Sequence, residues 1–171
     1  MKPLIKICGI ADEDNLIKLT KIEKINFLGF IFYEQSPRNA TGELINSISH
    51  IDFKNKRAVC VYVNADKEFI EETSSYFVNP ILQFHGDETN AFCKSFKKDF
   101  WKVIRVKDDE SMNFVNDYPD ASGILFENYE DGLYGGTGNS FDWNLVNNVK
   151  DLDIKIILSG GINIKNVDNA I

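Results

Sequence analysis

Phe27-Leu28-Gly29-Phe30-Ile31-Phe32 is a run with no polar side chain and no alternation of polar with apolar residues. A strand with one face in water alternates; an unbroken apolar run suits a parallel strand covered on both faces. Six more near-continuous apolar runs, four of them broken by one polar residue, lie along the chain: Leu4–Cys8, Ala58–Val63, Ile81–Phe84, Val103–Val106, Ile124–Phe126 and Ile154–Leu158. Segments of helical character separate them. Leu44, Ile45, Ile48 and Ile51 fall on one helical face, and Phe92 and Phe96 are four apart. Asp12, Thr41 and Asn163 stand where N-caps belong. The spacing between strands, about 20–32 residues, is that of a βα unit with its crossover.

Seven such units in a row mean either a doubly wound sheet or a closed barrel. The first turn carries Cys8-Gly9-Ile10 and no GxGxxG, which weakens the dinucleotide-binding alternative. The expectation is therefore α/β, a (β/α)8 TIM barrel forming a single domain over residues 1–171. The sequence ends at Ile171 inside the seventh unit, so about seven of the eight βα units are expected. The eighth would be lacking, and the flanking strands would have unpaired edges.

A chain of 171 residues is long enough to bury a real core, and 43% hydrophobic content is ordinary for a globular protein. No stretch approaches the roughly 18 apolar residues of a membrane span, and no signal or transit peptide is read. Cys8, Cys60 and Cys93 are odd in number and widely spaced, with no metal-ligand spacing. They point to a reduced compartment, read as cytoplasmic, and to no metal. The formal net charge of −7 argues against a nucleic-acid partner. An anionic ligand would need a local cluster of donors against that field. Oligomeric state is not legible.

In a (β/α)8 barrel the chemistry sits at the C-terminal ends of the strands. The residues expected there are Cys8, Arg38 in the loop after the second strand, His85, Arg105, Glu127 and Gly160-Gly161. Each also has a plain reading. A cysteine ending a strand is commonly a small buried hydrophobe, a single charge is commonly solvated, and glycine also terminates strands. Tyr134-Gly135-Gly136-Thr137-Gly138 and Ser159-Gly160-Gly161, the second opening a helix, together suit a phosphate cradle of backbone N–H groups.

Lys6-Ile7-Cys8-Gly9-Ile10, Phe30-Ile31-Phe32-Tyr33 with Ser36-Pro37-Arg38, and Leu82-Gln83-Phe84-His85-Gly86 occur in this order. Tyr134-Gly135-Gly136-Thr137-Gly138 through Phe141-Asp142-Trp143, and Leu158-Ser159-Gly160-Gly161-Ile162-Asn163, follow. Together these motifs resemble the phosphoribosylanthranilate isomerase family. The resemblance implies an intramolecular oxidoreductase of tryptophan biosynthesis that works by an Amadori rearrangement and needs no cofactor. It implies a phosphorylated small molecule as substrate. Cys8 is then the general base at C2 and Glu127 the general acid at the ring oxygen. Arg38 would pair with the anthranilate carboxylate or otherwise orient the substrate, Gln83 and His85 would line the pocket, and Gly135, Gly136, Gly160 and Gly161 would help to bind phosphate.

Ring opening needs a proton donor and the aldose-to-ketose step needs a base, so one acid and one base suffice. A free thiol, with a pKa near 8.5, is only a few per cent thiolate at neutral pH, so a positive neighbour would help. Two residues depart from the family pattern: Glu127 where it has aspartate, and Asn139 where it often has lysine. The extra methylene moves the carboxyl by about 1.5 Å, and a 1 Å error can cost about a hundred-fold in rate. Two other readings compete. Another phosphosugar isomerase would use a carboxylate base, against which Cys8 argues. An inactive, degenerate barrel would only bind a phosphorylated metabolite or a partner.

Overall fold

A computed structural model describes residues 3–170 apart from 41, 133, 137 and 151. The expected cap Thr41 and the Thr137 of the glycine-rich turn lie outside the described residues. The chain forms two compact units, Met1–Gln83 and Phe84–Ile171.

The first unit contains β1 (Ile5–Cys8), α1 (Glu13–Thr20), β2 (Ile25–Phe32), α2 (Gly42–Ile48), β3 (Arg57–Tyr62) and α3 (Lys67–Ser75). It leads into β4 (Ile81–Phe84). The strands are neighbours in chain order. β1 runs parallel to β2 with Cys8 opposite Gly29, and β2 runs parallel to β3 with Gly29 opposite Val59. Asp12 caps α1 as expected, its carboxylate accepting the Asn15 N–H at 2.8 Å. The core is the covered β2 and β3 of the apolar-run argument: Leu28, Phe30, Val59, Cys60 and Tyr62 are wholly buried, with Leu16 and Ile70 packed from the helices. Each of the aliphatic side chains and Phe30 stabilises the fold by about 1.5–3 kcal/mol. β1 departs from the expectation of two covered faces. Ile5 and Ile7 are 40% and 36% exposed, whereas the strand's single hydrogen-bonded neighbour among the described residues agrees with the unpaired edge expected of a flanking strand.

The second unit contains α4 (Asn90–Ser95), β5 (Phe100–Val106), β6 (Gly123–Asn128) and β7 (Ile156–Leu158). β5 is parallel to β6, and β6 to β7. The connections after β5 and β6 are 3-10 helices, Asp109–Asp117 and Trp143–Asn148. Aspartates that bond nearby backbone start both: Asp108 accepts from Ser111 N–H and Asp142 from Asn144 N–H. Ile104, Val106, Met112, Val115, Ile124, Phe126 and Val149 form this unit's core.

One expectation needs correction. Gly160-Gly161 does not open a regular helix among the described residues. Asn163 accepts the Lys165 N–H at 2.9 Å in a tight turn, and only a single 3-10 turn, Val167–Asn169, follows. A cradle at these glycines would rely on backbone N–H groups, since one such turn has little macrodipole.

Candidate active site

β1 ends at Cys8, whose side chain is half-buried, whereas Cys60 and Cys93 are completely buried. Burial pushes the Cys93 thiol up to about 12, which makes it inert. The turn after β1 is tied to β2, because the N–H groups of Gly9 and Ile10 both donate to the Gly29 carbonyl at 3.0 and 3.1 Å. The loop after β2 doubles back on its own strand. Ala40 N–H donates to the Ile31 carbonyl at 2.7 Å, and the Asn39 side chain accepts the Tyr33 N–H at 3.0 Å. This return brings Arg38 over Gly9, and its Nη1 donates to the Cys8 carbonyl at 3.2 Å. Cys8 and Arg38, read from separate motifs, therefore meet at one strand end. Gln83 is buried within β4 at 2% exposure.

In the second unit Glu127 lies within β6 and not after it, opposite Arg105 of β5. The longer strand places its carboxylate against His85, which directly follows β4, with Oε2 2.7 Å from Nε2. Both side chains are about nine-tenths buried, at 11% and 8% exposure. A buried carboxyl and imidazole at this separation attract strongly when the imidazole carries a proton, because little water screens the pair.

Gly135 passes directly over this pair. A Cβ on it would stand 3.0 Å from Glu127 Oε2 and 3.1 Å from His85 Cε1. Its φ of +82° is in addition a conformation that L side chains rarely adopt. Gly136 follows with φ +77°. From the other side, a Cβ on Gly160 would come within 3.3 Å of Glu127 Cγ, and one on Gly161 within 2.6 Å of Ser140 N. The two glycine-rich segments thus meet each other and the Glu127 side chain. Cγ is the methylene that distinguishes glutamate from aspartate, so the absent Gly160 side chain makes room for the departure from the family pattern.

Sequence reasoning missed what holds this half in place. Lys102 Nζ donates to the Gly86 carbonyl at 2.6 Å and to Glu88 Oε2 at 2.9 Å, and Glu88 accepts the Gly86 N–H at 3.0 Å. Lys102 and Glu88 are each 3% exposed. Their pairing fixes the turn that carries His85. The signal was present: a lysine inside the apolar stretch Phe100–Val106 needs a buried acid, and Glu88 follows the His85-Gly86 motif. Arg105, expected only as a rim residue, pairs with Asp87 at 3.2 Å and stacks over the Tyr134 ring at 4.4 Å. Tyr134 OH donates to Asp87 at 3.0 Å, so the segment leading into Gly135 is clasped from two directions. Among the described residues no group of three His, Cys, Asp or Glu is placed to hold a metal, and no helix is long and apolar enough to cross a membrane.

Parallel βα units with polar side chains and glycine turns gathered at strand ends are the features of a (β/α)-barrel enzyme. Solved structures agree. Phosphoribosyl anthranilate isomerase from Thermotoga maritima superposes with a TM-score of 0.83 at 29% identity, over 98% of this chain and 81% of that one. A structure of phosphoribosyl anthranilate isomerase in complex with reduced 1-(o-carboxyphenylamino)-1-deoxyribulose 5-phosphate superposes with a TM-score of 0.80 at 29% identity, over 98% and 80% of the two chains. The fold is the TIM-barrel type, with seven of its eight units covered. In sequence, the N-(5'-phosphoribosyl)anthranilate isomerase of Nitrosomonas europaea is 37% identical over all of this chain and 80% of its own length. That of Pseudomonas fluorescens is 36% identical over 97% and 80%. The family model for N-(5'-phosphoribosyl)anthranilate isomerase matches residues 5–171. The chain belongs to this family of tryptophan-pathway isomerases.

Proposed function

We propose that this chain converts N-(5'-phosphoribosyl)anthranilate to 1-(2-carboxyphenylamino)-1-deoxyribulose 5-phosphate with Cys8 as general base and Glu127 as general acid. Glu127 gives its proton to the furanose ring oxygen as the C1–O bond breaks, and the anthranilate nitrogen lone pair forms C1=N. The Cys8 thiolate then takes the C2 proton. The C2–H electrons form C1=C2, and those of C1=N return to nitrogen. Tautomerisation of the C2 enol gives the ketone. The sum is an isomerisation, so no external oxidant or reductant enters.

The observation that carries this reading is the state of the two groups. Cys8 is the half-buried thiol beside two sealed ones, and it ends a barrel strand under a guanidinium. Glu127 is a buried carboxyl packed against His85, its Oε2 2.7 Å from Nε2. A general acid must stand within reach of the leaving oxygen, and the buried Glu127 carboxyl is held in one place against His85. Arg38 is proposed to pair with the substrate carboxylate. The N–H groups around Gly135, Gly136, Gly160 and Gly161 are proposed to take the phosphate, with Gln83 and His85 lining the pocket. The reduced, odd-cysteine composition supports a cytoplasmic setting.

The test is turnover and ligand affinity of Cys8→Ala and Glu127→Gln, each beside the parent chain. Both should lose turnover while binding the reduced product analogue within a few-fold. A Glu127→Gln chain that still turns over would place the acid elsewhere. A parent chain that binds the analogue but shows no turnover would favour the degenerate-barrel reading.

A further inference from the structure

Gly29 occupies the middle of β2, between the wholly buried Leu28 and Phe30. Glycine in a strand interior is unfavourable, because it loses more backbone freedom on folding than other residues and offers no side chain to pack. Its φ is not in the positive range, so the backbone there does not demand glycine. Space does. Cys8 is its register partner across the parallel pair, and a Cβ on Gly29 would stand 2.9 Å from Cys8 Sγ. It would also stand 3.0 Å from Cys8 Cα and 3.2 Å from Cys8 Cβ. Ordinary van der Waals contact begins near 3.5 Å. The thiol therefore rests on the bare Cα of Gly29, in the volume that any other residue would fill. The same residue's carbonyl accepts the N–H groups of Gly9 and Ile10, which fixes where β1 ends.

We propose that Gly29 is the positioning residue of the Cys8 base: its missing side chain is the seat of the sulfur, and its carbonyl sets the height of the strand end above that seat. The inference rests on the reading of Cys8 as the base. A base acts only within reach of its proton, and about 1 Å of misplacement can cost about a hundred-fold in rate. Gly29→Ala leaves the guanidinium of Arg38 and both glycine-rich segments chemically intact. It therefore changes the base without removing any group proposed to bind substrate.

The experiment uses the full chain and reads kcat, KM, thermal midpoint and the alkylation of Cys8 by iodoacetamide near pH 8. Under those conditions Cys60 and Cys93 are sealed from reagent by burial. Gly29→Ala should lower kcat about a hundred-fold, with KM within about threefold of the parent. The sulfur, lifted from its seat, gains exposure, so alkylation should become at least about threefold faster while turnover falls. That opposition is the signature of a displaced base, since a general loss of folding would move KM and the thermal midpoint together with kcat. A parent-like kcat overturns the proposal, as does a lost kcat with unchanged or slower alkylation. Should Gly29→Ala fail to fold, the double variant Cys8→Ala, Gly29→Ala decides. Folding of the double variant assigns the conflict to the sulfur and supports the proposal; failure of both assigns Gly29 to backbone packing and overturns it. Cys8→Ala alone separates the two levels. If it keeps turnover, the reading of Cys8 fails. If it is inactive while Gly29→Ala matches the parent, only the seat is wrong.

Discussion

The two units of the chain hold their candidate catalytic groups by different physics. In the first, Cys8 is placed by shape: a half-buried thiol over a bare glycine Cα, on a strand end fixed by two backbone hydrogen bonds. In the second, Glu127 is placed by burial and charge. It is buried against His85, which itself sits on a turn held by the buried Lys102–Glu88 pair. The difference follows from the chemistry asked of each group. A thiol is a poor hydrogen-bond partner and tolerates an apolar seat, so steric fit suffices. A carboxyl removed from water must be satisfied or its ionised form becomes very costly. Each half should accordingly fail in its own way when perturbed.

The largest effect is expected from Cys8→Ala. Loss of the base should cost about 10⁴ in kcat, the upper end of what a positioned acid or base contributes, with little change in thermal midpoint because the vacated seat lies at a half-exposed strand end. Steady-state kinetics and calorimetry check both. Glu127→Gln should cost about 10³ in kcat. Its isosteric amide keeps contact with His85 but brings no acidic proton. Glu127→Asp sharpens the point. The family's own residue, placed in a site with a gap where Cγ lay, should retain more activity than the amide if reach is forgiving. It should retain no more if the site has adapted to glutamate.

Next in size is a prediction about stability. Lys102→Met leaves Glu88 buried at 3% exposure without its cation, a defect worth about 3–5 kcal/mol. Urea unfolding should show that loss. The paired change Lys102→Met, Glu88→Leu should recover much of it, because neither charge then remains to be desolvated, although the Gly86 N–H and carbonyl lose their partners. No single substitution at the Cys8 seat is expected to destabilise so much, which is the contrast between the units in energetic form. Gly135→Ala follows. A positive φ of +82° and a Cβ 3.0 Å from Glu127 Oε2 should together lower kcat about a hundred-fold by moving the acid.

This contrast also explains how much could be read in advance. The strands were legible because parallel strands covered on both faces are apolar along their length. β2, β3 and β4 were placed to within two residues. β5 was read three residues short: it starts at Phe100, and Lys102 interrupts the apolar run because its charge is neutralised from another part of the chain. The 3-10 connections were not legible, since the same aspartate cap precedes α1, α3 and the 3-10 helix Asp109–Asp117 alike. In the site, side chains that carry chemistry announce themselves by type and place, and so Cys8, Arg38, Glu127 and the glycine segments stood out. Gly29 did not, because its contribution is an absence. The 2.7 Å contact of His85 with Glu127 depends on strand neighbourhood and on Glu127 lying inside β6.

The smallest effect concerns the clasp on the acid half. Tyr134 joins it through two separable interactions, a hydroxyl donating to Asp87 at 3.0 Å and a ring beneath the Arg105 guanidinium at 4.4 Å. Tyr134→Phe removes the first and keeps the second. An exposed hydrogen bond contributes about 0.5–1.5 kcal/mol to stability, so the thermal midpoint should fall by about 1–6 °C with kcat within about threefold of the parent. Tyr134→Ala removes both and should cost more, since a cation over an aromatic face adds about 0.5–1 kcal/mol at an exposed site. If the two variants are equal, the hydroxyl alone secures the segment that leads into Gly135. If Phe is silent and Ala is not, the ring does. In that case even the outer support of the acid half follows the first unit's rule, in which shape rather than a hydrogen bond fixes the position.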